Sequence, residues 1–171
     1  MTIAIVPYDP AWPLEFARER DRLQAALGDL ALRIEHNGST AVPGLAAKPV
    51  IDIQISVAHL QPLAAYARPL ARLGYVHVAS ADDDRCPFFH RPAEWPHTHH
   101  VHVVEAGGVE ECQTLAFRDY LRAHADAARE YEALKRALAA EFGGAEPAAR
   151  EAYANAKSEF VMRIDALARR P

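Results

Sequence analysis

Seven consecutive residues, Ile51-Asp52-Ile53-Gln54-Ile55-Ser56-Val57, alternate apolar and polar side chains without a break. Successive side chains of an extended chain point to opposite faces. The run therefore predicts a strand over residues 50–57, with Ile51, Ile53, Ile55 and Val57 on one face and Asp52, Gln54 and Ser56 on the other. Such a strand belongs in a sheet whose apolar face is covered by helices and whose polar face is available for a site. The residues just before it suit a ligand. Gly38-Ser39-Thr40 joins a backbone without a Cβ to two hydroxyls, which favours an anion such as phosphate. Pro43-Gly44 marks a turn, and Lys48 offers a point charge to the same anion. Asp52 then stands where a hard cation bridging phosphates would be held.

On either side of this stretch the pattern alternates between helices and short strands. A β-branched run at residues 3–6 predicts an extended arm. Residues 13–27 predict a helix with Leu14, Ala17, Leu23, Ala26 and Leu27 inward and Glu15, Arg18, Glu19 and Arg22 outward. Residues 31–36 read as a half-buried strand. Residues 59–73 read as a helix in which Pro69 predicts a kink or break, capped by Gly74. Strands follow at 75–78, at 88–91 as an edge strand, and at 100–104. In the last of these Val101 and Val103 share one face, and His100 and His102 the other. His97 and His99 read as loop or edge residues. From residue 110 everything reads as helix: 114–124, 127–142 ending at Gly143-Gly144, and 147–169.

A length of 171 residues fits a single domain, 1–171, with a proper core. The net charge of −4, with scattered Lys and Arg, argues against nucleic acid as a partner. Cys86 and Cys112 show no metal-type spacing, residues 1–7 lack the basic and apolar regions expected of a signal peptide, and no apolar run reaches membrane length. A cytoplasmic protein with no membrane partner is expected; the oligomeric state stays open.

Gly38-Ser39 followed by Asp52 on a strand resembles the signature of the nucleotidyltransferase superfamily, where Gly-Ser precedes a pair of strand carboxylates. More narrowly, several segments resemble the GrpB family, also called UPF0157. They are Tyr8-Asp9-Pro10-Ala11-Trp12-Pro13, residues 35–49, His99-His100-Val101-His102-Val103, Phe117-Arg118-Asp119-Tyr120-Leu121-Arg122, residues 131–135 and residues 153–160. Members of that family sometimes occur fused to a dephospho-coenzyme A kinase. The resemblance implies an α+β, nucleotidyltransferase-like fold: a small mixed sheet with helices on one face and a helical C-terminal part. It implies binding of a nucleotide or related phosphorylated ligand, with Gly38, Ser39, Thr40, Lys48 and Arg118 around the phosphates. It also implies nucleotidyl transfer at Asp52 and Gln54 with a divalent metal. Lys135 and Lys157 would close the pocket from the helical layer.

The second carboxylate position holds Gln54, which brings no charge and weakens the hold on magnesium. His100 and His102 beside Asp52 would instead suit zinc or manganese. Three readings follow: a metal-dependent transferase, a non-catalytic nucleotide-binding module of the same fold, and a metal-dependent hydrolase using Asp52, His100 and His102.

Overall fold

The alternating run forms the strand that the rest of the sheet is built upon. In a computed structural model of the chain, residues 4–142 and 146–169 are described. The strands are β1 (Arg33–Asn37), β2 (Ile51–Val57), β3 (Val76–Val78), β4 (Phe88–Arg91) and β5 (His99–Glu105). They pair in the order β1-β2-β5-β4-β3. β2 and β5 run parallel, with Asp52 opposite His100 and Gln54 opposite His102. All other pairs are antiparallel. The sheet is therefore mixed, and β4 is interior; β3 takes the edge position expected of β4, because its three residues pair with β4 alone among the strands.

The helices are α1 (Trp12–Leu27), α2 (Ala64–Arg72), α3 (Val109–Ala123), α4 (Ala125–Phe142), α5 (Pro147–Asn155) and α6 (Ser158–Ala168). α1 and α2 lie on the apolar face, where Leu23, Leu27, Tyr66 and Leu70 pack with Ile51, Ile53 and Ile55. Among the described residues no helix is long and apolar enough to cross a membrane.

The helical C-terminal part does more than extend the fold. α3 crosses the polar face at the Ser56 end of β2, so Gln54 and Ser56 are as buried as their neighbours Ile53 and Ile55. There Glu111 of α3 accepts hydrogen bonds from Ser56 Oγ, from Arg33 Nε at 2.9 Å and from Gly107 N at 2.6 Å. The polar face is thus closed at Ser56, while cavities border it at Gln54 and Asp52. α3, α4 and α6 enclose a second apolar cluster in which Leu121, Tyr131, Phe160 and Ile164 pack on Val42 and Leu45 from the loop before β2.

Four other expectations change. Leu14 is 61% exposed, while Glu19 is buried among Arg22, Arg91 and the Tyr75 hydroxyl. A helix that meets a sheet at an angle buries only part of its nominal stripe, and a carboxylate enters the interior when donors surround it. α2 continues through Pro69, whose missing N–H forfeits a single bond. The last predicted helix is two, parted at Ala156 and Lys157. In the N-terminal arm only Val6 pairs, through a bridge to Ala47. Ile3 and the Gly143-Gly144 ending lie outside the described residues.

Candidate functional site

Gly38 brings the loop and β2 together. Its φ of +68° is a left-handed conformation, and a Cβ there would sit 2.3 Å from Asp52 Oδ2. Only glycine lets the backbone lie this close to the carboxylate. Asp52 in turn accepts a hydrogen bond from His100 Nδ1 at 3.1 Å, and His100 Nε2 lies 3.2 Å from Nδ1 of His97. The His97 ring stacks on His90, with centroids 3.8 Å apart. Burial alone would raise the Asp52 carboxyl, but the His100 bond and the nearby Lys48 charge hold it down at about 2.

Asp52, His90, His97 and His100 floor a cavity of about 790 Å³. Ser39, Lys48, Asp52, His100 and His102, all expected at the site, line it together. Lys135 of α4 and Lys157, at the α5–α6 break, close it from the helical side. Lys135 is buried and donates to Ala46 O at 2.5 Å. Lys157 lies 4.3 Å from the centre of the Tyr153 ring. Burial lowers both ammonium groups, Lys135 to about 7 and Lys157 to about 8; each is lowered further by a second lysine, Lys157 acting on Lys135 and Lys48 on Lys157. The cavity therefore holds three lysines against two carboxylates, Asp52 and Glu151.

Other expected residues are placed elsewhere. Thr40 is buried behind the loop, donating to Val50 O at 3.2 Å and bonded to His36 Nε2. Arg118 does not line the cavity; it donates to Glu35 Oε2 at 2.8 Å and to His36 O at 2.9 Å, which ties α3 to β1. Gln54 and Gly38 border a separate cavity of about 380 Å³, which shares Asp52 and His102 with the first.

The metal set Asp52, His100 and His102 does not assemble. Among the described residues no group of three or more His, Cys, Asp or Glu side chains is arranged to hold a metal ion. Both His100 nitrogens are engaged, and His102 Nδ1 faces Cys86 Sγ at 3.7 Å. Burial lowers His102 to about 4. Gln54 Oε1 is taken by Asn37 Nδ2 and Thr114 Oγ1, so it offers a cation nothing. A divalent ion does not fit the residues as they stand.

His90, Trp95 and His97 line the cavity although the sequence reading put His90 in an edge strand and His97 in a loop or edge, and assigned none of the three to the site. The one signal was the density of histidines around residue 100; the loop that folds back over β5 has no periodicity to read.

A family model described as GrpB protein matches residues 2–166. A UPF0157 protein of Pseudomonas aeruginosa is 42% identical over 165 residues, covering 95% of this chain and 66% of that protein. A dephospho-CoA kinase of Mycolicibacterium paratuberculosis is 37% identical over 158 residues, covering 78% of this chain but 39% of that protein. A crystal structure of conserved protein GrpB from Enterococcus faecalis superposes with a TM-score of 0.84 at 31% identity, covering 96% of each chain. The family model spans nearly the whole chain and the fold is shared at 31% identity, so the chain belongs to the GrpB family.

Proposed function

We propose that this chain binds a phosphorylated small molecule, with the phosphate seated among Lys48, Lys135, Lys157 and Ser39. The observation that carries this reading is the pair of buried, depressed lysines, Lys135 and Lys157, facing one cavity. Holding ammonium groups where burial and mutual repulsion oppose their charge weakens the fold. A phosphate offsets that repulsion and stabilises the protonated lysines. Nucleotidyl transfer asks for two strand carboxylates, and this chain has Asp52 alone, with Gln54 held by Asn37 and Thr114. The reading is therefore binding without transfer. Nucleotides head the ligand panel, and dephospho-coenzyme A joins it because relatives of part of this chain are named dephospho-CoA kinase.

Sulfate is the first probe, since its charge is constant across the useful pH range. Calorimetry should find sulfate bound at pH 6 and at least about tenfold more weakly at pH 9, as Lys135 and Lys157 lose protons near 7 and 8. The double variant Lys135→Met with Lys157→Met should lose both the binding and its pH dependence. Sulfate affinity indifferent to the double substitution would overturn the reading.

A further inference from the structure

The smaller cavity contains two buried polar atoms with no partner among the described residues, Gln54 Nε2 and Asp165 Oδ1. The orientation of the Gln54 amide is fixed by a chain of bonds. Gly38 N donates to Asn37 Oδ1 at 2.9 Å, so Asn37 turns its Nδ2 towards Gln54. That donor, 3.2 Å away, requires the oxygen of Gln54 to face it. Nε2 is left as a donor without an acceptor, on a side chain that is 0% exposed. An unmade hydrogen bond at such a place costs about 1–3 kcal/mol, which a fold does not leave standing without a use. Asp165, from α6, presents the complementary want: an oxygen without a donor. Burial pushes its carboxyl above the ordinary aspartate range. Phe117 and Val161 supply apolar walls between these groups and the helices.

We propose that this cavity seats an amide unit of the bound molecule, its carbonyl oxygen accepting from Gln54 Nε2 and its N–H donating to Asp165 Oδ1. The inference rests on the phosphate reading above. Asp52 and His102 border both cavities, so one molecule can lay its phosphate among the lysines and its amide beside Gln54. The glutamine standing where the superfamily pattern has a carboxylate is then a recognition group. An amide unit comes from two sources, the ring amide of a nucleobase or an open carboxamide.

Three phosphates separate the possibilities: ribose 5-phosphate, which has no amide; uridine 5′-monophosphate, with a ring amide; and nicotinamide mononucleotide, with an open carboxamide. At least one amide-bearing compound should bind about tenfold more tightly than ribose 5-phosphate and move the Gln54 side-chain amide signal in NMR spectra. That advantage should vanish in Gln54→Met and in Asp165→Leu, with ribose 5-phosphate affinity unchanged. The second variant serves where the first fails to fold. An advantage that survives both substitutions, or no advantage for either amide, overturns the inference while leaving the lysine cavity intact. If instead ribose 5-phosphate ignores loss of Lys135 and Lys157, the phosphate reading fails. Uncharged uridine and nicotinamide then decide the amide pocket by whether they shift the Gln54 signal: a shift upholds it, and no shift overturns it.

Discussion

The two ends of the polar face of β2 look alike in sequence and differ in kind. At one end Glu111 accepts from Ser56, Arg33 and Gly107, and among the described residues no buried side-chain polar atom there lacks a partner. At the other end Asp52 faces lysines lowered by burial and a chain of histidines, and the amide of Gln54 next to it keeps a donor without a partner. The first end is a joint that closes the helical layer onto the sheet. The second retains charge and hydrogen-bonding capacity that folding did not use. An alternating strand therefore announces a polar face and leaves open whether that face is a joint or a site. What decides it is the helix that arrives from 55 residues away or more, and whether it carries a carboxylate to close the network or a lysine to leave it open.

Three substitutions sharpen this contrast. Glu111→Ala breaks the joint and leaves Ser56 Oγ and Gly107 N without their acceptor, and should cost about 1–3 kcal/mol in urea unfolding while leaving sulfate affinity within about twofold. A large loss of sulfate binding in that variant would show that the ends are one unit. Gly38→Ala tests the approach of loop to carboxylate. It should cost about 2 kcal/mol, against about 1 kcal/mol for Gly44→Ala, because both glycines have positive φ but only Gly38 faces Asp52. Equal costs would mean that the contact at Asp52 carries no energy. Lys157→Met should act with the opposite sign, raising stability by about 1 kcal/mol at neutral pH while weakening sulfate about tenfold.

The sign for Lys157 follows from its proton. Folded Lys157 is lowered to about 8, while the unfolded side chain keeps its proton to about 10.5. Between these values the unfolded state binds more protons, so the ligand-free protein gains stability as pH rises through that window. Thermal melts of Lys157→Met should show a flatter rise there than the parent.

Much of the framework was legible because it rests on local periodicity. The split of β2 into Ile51-Ile53-Ile55 and Asp52-Gln54, and of β5 into its valines and histidines, needed only the two-residue repeat. The parallel pairing that sets Asp52 beside His100 turned those two repeats into one site. What stayed hidden depended on non-local geometry. Glu19 read as a surface charge and Arg118 as a phosphate ligand until Arg91, Tyr75 and Glu35 are brought to them from distant segments. Lys135 and Lys157 carried family-like motifs, but only their burial distinguishes them from solvated lysines. The metal reading turns on a related point. Parity placed His100 and His102 on the right face, while their hydrogen bonds to Asp52, His97 and Cys86 had no trace in the pattern.

The bond between His100 and Asp52 spans 48 residues, and Lys135 reaches Ala46 across 89. Contacts so distant along the chain are closed against the entropy of long loops. The cavity therefore exists only where the sheet and the C-terminal helices have met. Anything held in it acts as a latch on the finished topology, gripping the C-terminal helices to the sheet only once both are in place.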